Sequence, residues 1–306
     1  MCRVVRHYGV FFDPGVRSAR IEAELARLVT RGNVSVDDME ALQDDSYTLY
    51  ADDYLPLLDA AWAARATDPT LVDFRDRADL DALVTRLHGW DRRMERTSSE
   101  AVVFHAFMFF LADHVLRDDL SLLFQPILEA ESAYVLKWLS GVMLRTGPHP
   151  DAALDGESRE AALVRALDRT AQWLGARFPD GDYTWGELHG TIFTSLYGDR
   201  LSSAWAPTDG SCGTLNRADT VFFASADTPH ERLDASDGSI YRMVATFRPD
   251  GTPQAYFTMG QGVSGDPESP HWDDLRADWI ETHHRPLRFL REEVDAAPVE
   301  TLVLMP

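Results

Sequence analysis

The residues from Ala101 to Ala112 form the longest apolar run of the chain, and only His105 interrupts it. Crossing a bilayer takes about 20 apolar residues in a helix, so this run is too short to span a membrane. It predicts instead a helix that is buried in a protein core. With 306 residues and 45% hydrophobic content, the chain is long enough for one large domain or two ordinary ones. We expect a soluble protein.

Helix signals dominate residues 17–200, where apolar side chains recur at three-to-four spacing. Thr97 and Glu100 have the spacing of a capping box and predict the first turn of the helix that carries the apolar run. A further helix is predicted over Ser158–Leu174, ending before Gly175 because glycine is common just past a helix terminus. These residues are therefore expected to be mainly helical.

A second capping box, formed by Ser35 and Asp38, predicts another helix in the same part of the chain. Its apolar face would run from Met39 to Leu58. Pro56 is expected to kink or end it, because proline lacks a backbone N–H and clashes with the preceding turn. Glycines and prolines between Thr146 and Gly156 predict a surface loop.

Residues 201–306 have a different character and are expected to be β-rich, because β-branched and aromatic residues are concentrated in short runs. The predicted strands are Thr220–Ala224, Tyr241–Phe247, Ala255–Met259 and Thr301–Met305. Pro249-Asp250-Gly251 is a strong turn signal and predicts a hairpin between the second and third of them. The sequence therefore predicts an α+β fold that is mainly helical in its first two-thirds and consists of antiparallel strands after that. We predict no domain boundary and treat residues 1–306 as one portion of a protein.

The charge balance is strongly acidic, with a formal net charge of −21, and Lys137 is the only lysine. Surface carboxylates hold water and counter-ions at high salt, so the composition is typical of a salt-adapted protein, although a genome rich in arginine codons would give the same bias. Nucleic acids and anionic membranes are bound through basic patches, and the sequence contains none. We therefore expect neither as a partner.

The two cysteines, Cys2 and Cys212, are too few for a disulfide framework in a chain of this length, and they leave the redox compartment open. At the N-terminus, the apolar stretch Val10–Phe12 is far too short for a signal peptide and is followed by Asp13-Pro14. We therefore expect no export signal, and the cellular compartment stays open.

The segment Gly260–Gly265 matches the glycine pattern GxGxxG after a predicted strand. A dinucleotide site needs these glycines to open a helix whose N-terminus holds the pyrophosphate. Asp266-Pro267 follows instead and predicts another turn. We interpret the segment as a tight, glycine-dependent loop that packs on the hairpin.

Three groups of polar residues could in principle carry chemistry, and we interpret each of them as structural. They are His271, His283 and His284 near Asp273 and Asp274; the aspartates Asp44, Asp45, Asp52 and Asp53; and the pair Glu187 and His189. The histidine spacing fits no metal signature, the aspartates are typical of a solvated acidic helix face, and side chains two apart on a helix diverge. We expect no metal and no cofactor in this chain.

Ordered sequence blocks along nearly the whole chain give it a family resemblance. The blocks are Arg17–Ile21, Val36–Met39, Leu42–Asp45, Gly89–Asp91, Trp185–His189, Asp209–Gly210, Gly213–Asn216, Ser239–Arg242, Gly260–Gly265, Ser269–Asp274 and Trp279. In order and spacing they resemble the penicillin acylase (penicillin amidase) family of N-terminal-nucleophile hydrolases. The resemblance implies a fold of two β-sheets between helical layers, with a long helical excursion corresponding to residues 17–200.

The resemblance also implies a chemistry. In that family a serine at a newly exposed N-terminus attacks a linear amide, with its own α-amine as base, and an asparagine helps to stabilise the oxyanion. The family pattern places these residues and most calcium ligands upstream of Arg17. The expected protein is thus the C-terminal fragment or split half of an amidohydrolase, inactive alone, whose partners are the missing N-terminal half and a small-molecule amide.

Among the residues of this chain, the resemblance assigns only Arg17 to the neighbourhood of the active site. It corresponds to a family arginine that helps to organise that site. A surface arginine at the head of a helix is the other interpretation, and both stay open. Two departures accompany the match. Gly262-Val263 are inserted where the family usually has Gly-Gln-Ser-Gly, and the calcium-site aspartate has no secure counterpart in Gly9–Asp13.

Two further hypotheses follow from the same residues. A non-catalytic remnant or structural module would leave strand edges and an apolar face open. Alternatively, removal of Met1 would leave Cys2 as an N-terminal thiol nucleophile, but Cys2 lies almost against the Arg17 block whereas the family nucleophile lies far upstream. Acyl specificity stays open, because the resemblance implies that most of the acyl pocket belongs to the missing half.

Overall fold

The computed structural model of the chain describes residues 15–123, 132–144, 154–216, 218–220 and 232–297. Its α-helices are α1 Val16–Arg31, α2 Val36–Gln43, α3 Leu49–Ala64, α4 Ala78–His88, α5 Ser99–Leu120, α6 Ser132–Met143, α7 Arg159–Arg177, α8 Trp185–Leu188, α9 Arg276–Ile280 and α10 Arg291–Asp295. Its strands are β1 His189–Thr191, β2 Ala206–Pro207, β3 Ala218–Thr220, β4 Leu233–Gly238, β5 Tyr241–Phe247, β6 Pro253–Met259 and β7 Arg285–Leu287. Short 3-10 helices lie at Pro69–Phe74, Ser121–Leu123 and Asp199–Leu201. The α+β prediction is confirmed.

The Cα positions cluster into two compact units. The first comprises the described residues of Met1–Glu24, Asp45–Ile192 and Ala204–Gly238, and the second those of Leu25–Asp44, Phe193–Ser203 and Ser239–Pro306. The expectation that residues 1–306 form a single C-terminal portion stays a prediction.

Helix α5 forms the centre of the first unit, as the apolar run predicts. It packs against α4, α6, α7 and α8, and its residues from Ala101 to Asp113 are buried without a break. Its N-cap is Ser98, whose hydroxyl accepts a hydrogen bond from the Ala101 N–H, rather than the predicted Thr97. In length and composition α5 with its following turn meets the criteria for a membrane span, but 83% of its apolar window is buried inside the protein, as in a core helix.

The predicted helix from Met39 to Leu58 is two helices, and Pro56 does not end the second of them. Ser35 and Asp38 do form the capping box of α2. The helix ends at Gln43, however, because the next residues pair with another segment: the Thr48 N–H donates to the Arg92 carbonyl. Pro56 lies inside α3, which continues to Ala64.

A four-stranded sheet lies in the first unit, with the order β2-β1-β4-β3. The pairs β1–β2 and β3–β4 are antiparallel, whereas β1–β4 is parallel. Parallel neighbours need a long connection, and the residues between Thr191 and Leu233 provide it. Strand β1 lies before residues 201–306, for which antiparallel strands were predicted, and the pairs β3–β4, β5–β6 and β6–β7 within that range are antiparallel.

The second unit contains an antiparallel sheet with the order β5-β6-β7. The predicted hairpin joins β5 to β6: the Gly251 N–H donates to the Arg248 carbonyl, and Gly251 has φ +85°, a conformation that glycine adopts without strain. On one face, the Trp279 indole N–H donates to the Ser239 carbonyl at 2.9 Å and the Arg242 guanidinium lies 5.0 Å from the Trp279 ring.

Other sequence predictions differ from the structure in their bounds or lie partly outside the described residues. The helix predicted over Ser158–Leu174 is α7, and Ser158 caps it, but it continues through Gly175 to Arg177. The strand predicted at Thr220–Ala224 is described only to Thr220, as the end of β3. Outside the described residues lie Thr301–Met305 and most of the loop predicted at Thr146–Gly156, together with Cys2 and Gly9–Asp13.

Candidate functional site

The segment 208–216 of the first unit gathers several of the sequence blocks in one place. The Trp185 indole N–H donates to the Gly210 carbonyl at 3.0 Å, and the Gly210 N–H donates to the Met94 carbonyl at 2.7 Å. The Asp209 carboxylate accepts the Arg96 backbone N–H at 2.5 Å. Trp185, Met94 and Arg96, which are all distant from it in sequence, therefore fix this segment, which we call the 208–216 loop.

The Trp185–His189 block is part of the core beside this loop. The rings of Trp185 and His189 stack at 4.7 Å, and His189 Nδ1 donates to the Thr208 carbonyl at 2.8 Å. The ring of His105 also contacts Trp185, with 4.9 Å between the two ring centres. Burial and, second, the charge of His189 lower the pKa of His105 to about 3, so its imidazole is neutral at pH 7.

Glu187 and His189 have the structural roles that we expected. Glu187 completes a capping box at α8, accepting the Thr184 backbone N–H at 2.6 Å. His189 already belongs to β1 and is fully buried. The two side chains thus serve different partners, and the structure does not combine them into an acid–base pair.

Arg17 lies in the first turn of α1 and contacts the 208–216 loop. Its Nε donates to the Thr214 carbonyl at 3.0 Å, and the side chain is partly buried. Thr214 is itself held inside the loop, because its hydroxyl hydrogen-bonds with the Ser211 and Asn216 carbonyls. The structure thus places Arg17 against a rigid turn and not on an open helix surface. Its supporting role in catalysis stays a prediction.

Asp45 is buried, so the expectation of a solvated acidic helix face is wrong for this residue. Only 6% of it is exposed, and its carboxylate accepts hydrogen bonds from Arg20 at 2.6 Å and from Arg93 at 3.0 Å. Its carbonyl accepts the N–H groups of Leu215 and Asn216. Asp45 therefore connects α1 to the end of the 208–216 loop. Helical periodicity could not have identified its burial, because Asp45 follows the end of α2.

Asp45, Arg20 and Arg93 form a buried ion cluster, and the burial affects the pKa of its members. Burial lowers the pKa of Arg20, but the hydrogen bond and the negative charge of Asp45 outweigh that effect and raise it above the ordinary value. Arg20 also stacks 4.3 Å from the centre of the Tyr47 ring and pairs with Glu24 at 2.9 Å. The arginine is thus held in one position from several sides.

A small cavity lies beside the 208–216 loop. Its lining consists of Thr48, Tyr50, Met94, Phe104, His105, Met108, Leu136, Ser211 and Cys212. Gly213 lets the loop approach the cavity wall, because a Cβ there would lie 2.8 Å from the Tyr50 ring. The mainly apolar lining, with a neutral His105, gives this cavity no charged group for catalysis.

In the second unit, Gly260–Gly265 forms the predicted tight loop. The Gly260 N–H donates to the Ile240 carbonyl, and the Gly262 N–H donates to the Trp272 carbonyl. A Cβ at Gly262 would lie 2.0 Å from the His271 carbonyl oxygen, so this glycine is required for the close approach. No helix follows directly, which agrees with the rejection of a dinucleotide site.

The histidines of the second unit have separate partners. His271 Nδ1 pairs with Asp274 at 3.0 Å, whereas the buried His284 contacts Gln43 through Nε2 at 3.0 Å. Among the described residues, no three His, Cys, Asp or Glu side chains are grouped so that they could hold a metal ion. The expectation that this chain holds no metal or cofactor stays a prediction.

The described residues form an α+β protein with a buried arginine–aspartate cluster beside the 208–216 loop. A thermostable penicillin G acylase from Alcaligenes faecalis has a similar structure, with a TM-score of 0.58 and 12% sequence identity over 100% of this chain and 55% of that chain. The penicillin amidase family profile matches residues 3–296. The chain therefore belongs to the penicillin amidase family.

One relative shows how much of such a protein this chain represents. It is the penicillin acylase 2 proenzyme of Pseudomonas sp. (strain SE83), which is 27% identical over 298 residues. The match covers 94% of this chain but only 35% of the relative. The chain thus spans about a third of the length of that proenzyme, and about half of that of the solved acylase chain.

Proposed function

We propose that this chain is the C-terminal part of an enzyme that hydrolyses linear amides, and that it needs a second polypeptide segment for activity. Membership in the penicillin amidase family and the limited coverage of both relatives support the proposal. The observation on which it rests is the position of Arg17, whose guanidinium is fixed by the Thr214 carbonyl at the 208–216 loop.

In this proposal the second segment brings the nucleophile and the oxyanion donors. The nucleophile attacks the amide carbonyl, the C–N bond breaks, and the amine leaves with a proton. Water then attacks the acyl-enzyme, and the acid is released. Arg17 acts as a positioning residue, because a guanidinium with a fixed plane can orient a carboxylate or an amide through directed N–H groups.

The proposal is tested by co-expressing the chain with the product of the reading frame directly upstream. Hydrolysis of phenylacetyl and long-chain acyl amides is measured for the chain alone, for the upstream product alone and for the mixture. We expect activity only in the mixture. A mixture in which the two polypeptides bind each other but hydrolyse none of these amides would favour the non-catalytic module instead.

Arg17→Lys separates the positioning role from a structural one. We expect kcat/KM of the active mixture to fall about 100-fold, mainly through kcat, because lysine keeps the charge but loses the planar donors. The matched control is Arg291→Lys, since the Arg291 side chain is 89% exposed and pairs with Asp295 along the same surface helix. Equal activity of the two variants would refute a role for Arg17.

A further inference from the structure

Two routes of hydrogen bonds through the described residues connect helix α1 to the 208–216 loop. The first is direct, because Arg17 Nε donates to the Thr214 carbonyl at 3.0 Å. The second passes through Asp45, whose carboxylate accepts Arg20 Nε at 2.6 Å and whose backbone carbonyl accepts the Leu215 N–H at 3.1 Å. Arg17 and Arg20 lie three positions apart on α1, so they project from the same side of that helix. The two routes therefore close into a ring of these five residues, which we call the Asp45 ring.

The Asp45 side chain is held so that it cannot turn within this ring. Its Oδ2 faces Arg20, whereas its Oδ1 accepts the Arg93 guanidinium at 3.0 Å and the Tyr47 N–H at 3.3 Å. Rotation of the carboxylate would break bonds on both oxygens, and charge-assisted hydrogen bonds are about twice as strong as neutral ones. Because Asp45 is only 6% exposed, water has little access to replace them. Asp45 is thus a rigid link between α1 and the loop.

This link reaches Arg17 through a single peptide group, the one between Thr214 and Leu215. Its N–H donates to the Asp45 carbonyl, while its C=O accepts Arg17 Nε. A trans peptide group is planar with its N–H and C=O on opposite sides, so fixing the direction of one fixes the other. Asp45 therefore sets the direction of the acceptor that the Arg17 guanidinium contacts. Arg20 at the same time fixes the turn of α1 from which Arg17 projects.

We propose that Asp45 is a positioning residue that holds the Arg17 guanidinium in its place for amide hydrolysis. This inference rests on the proposed function, because it depends on Arg17 orienting a substrate group. Without the Asp45 carboxylate, the bond between Arg17 and the Thr214 carbonyl would lose its support from both α1 and the loop. Displacing a group that orients the substrate by about 1 Å can lower the rate about 100-fold. Loss of Asp45 should therefore act mainly on kcat.

The test compares Asp45→Asn with the matched control Asp113→Asn. Asp113 is also a buried aspartate of the first unit with two arginine partners: it is 4% exposed, Arg169 donates to it at 2.6 Å, and Arg117 pairs with it. These partners lie on α7 and α5, outside the Asp45 ring. We expect both substitutions to lower the urea midpoint to a similar extent, because each removes the charge of a buried carboxylate.

The first measurement follows the Arg17 Nε–H signal by NMR in the isolated, nitrogen-labelled chain. The signal is assigned by its absence from the spectrum of Arg17→Lys. We expect Asp45→Asn to speed the exchange of this proton with water about 10-fold or more, and Asp113→Asn to leave it within about twofold. If Asp45→Asn does not fold, Arg20→Lys opens the same ring from α1, with Arg169→Lys as its control, and the same selective effect is expected.

The second measurement uses the active mixture of the chain with the upstream product. We expect Asp45→Asn to lower kcat about 100-fold with KM within about threefold, and Asp113→Asn to leave both within about threefold. The double variant Arg17→Lys/Asp45→Asn should lose no more than about threefold beyond Arg17→Lys alone, because residues that act as a unit are not additive. A stabilising role of Asp45 unconnected with Arg17 would instead multiply the two losses.

Three outcomes separate the inference from its rivals. Equal exchange of the Arg17 Nε–H in Asp45→Asn and Asp113→Asn would refute it, since both variants would then act through a general loss of stability. Losses that multiply in the double variant would refute it as well. Faster exchange in Asp45→Asn alone, combined with no hydrolysis by the natural mixture, would support the positioning of Arg17 by Asp45 and refute the proposed function.

Discussion

Replacing Asp45 by asparagine tests whether the buried ion cluster stabilises the first unit. The substitution keeps the volume of the side chain and one oxygen acceptor, but it removes the charge that faces Arg20 and Arg93. Asp45 accepts hydrogen bonds from Arg20 at 2.6 Å and from Arg93 at 3.0 Å. In the variant one of these would be lost, where the amide NH2 replaces an oxygen, and the other would have a neutral acceptor. Two guanidinium groups would then face no carboxylate at this position.

The size of the effect follows from the exposure of the partners. Removing one partner of a fully buried ion pair costs about 3–5 kcal/mol. The Arg20 side chain is 15% exposed and comes close to that case, whereas Arg93 is 38% exposed and can recover water contacts. We therefore expect Asp45→Asn to lower the free energy of unfolding by about 3 kcal/mol.

The assay is urea unfolding at pH 7, followed by tryptophan fluorescence and by circular dichroism at 222 nm. The matched control is Asp295→Asn, which removes a pair whose side chains are 89% and 55% exposed and should cost less than about 1 kcal/mol. If Asp45→Asn cost no more than the control, the cluster would contribute nothing beyond a surface pair, and the reasoning from burial would be refuted.

Three further substitutions test the packing and the pH dependence. Gly190→Ala should lower the free energy of unfolding by about 3 kcal/mol, because a Cβ would lie 2.4 Å from the Ala206 carbonyl oxygen of the paired strand. Gly175→Ala, inside α7 with open space around it, should raise the free energy of unfolding by about 0.5 to 1 kcal/mol, and urea midpoints that moved the same way in both variants would contradict this. The pKa of His105 is lowered to about 3 in the folded chain, so the unfolded chain binds the extra proton and stability falls as the pH drops from about 6.5 to about 3. His105→Gln should remove up to about 1.4 kcal/mol per pH unit from that slope, and an unchanged slope in urea series at pH 4 to 7 would contradict this assignment.

Local signals in the sequence predicted the elements whose structure depends on local contacts. Ser35 and Asp38 satisfy each other's neighbouring backbone groups, so the start of α2 could be predicted. The hairpin at Asp250-Gly251 and the buried α5 are similar cases. Pro56 does not end α3, because the buried side chains of that helix offset one missing backbone hydrogen bond, whereas the break before Thr48 depends on pairing with Arg92.

The candidate site was less accessible to prediction, because its contacts join distant segments. Arg17 was selected by family resemblance, but its bond to Thr214 spans 197 positions in the sequence. Asp45 was expected in water, since acidic residues in an acidic chain are usually solvated. Its burial depends on Arg20 and Arg93, and no spacing rule connects the three residues. The ordered sequence blocks nevertheless identified the loop at which they meet.

The buried position of α5 has a consequence for the synthesis of the chain. Helix α7, which covers α5, ends at Arg177, so a nascent chain that has just completed α5 at Leu120 still lacks that cover. Until α7 has been synthesised, the nascent chain exposes a long apolar helix to the ribosome surface and to the factors that recognise membrane proteins. We expect chaperones to bind the nascent chain at this stage. Chains truncated between Leu120 and Arg177 should aggregate, because α5 would lack the cover of α7.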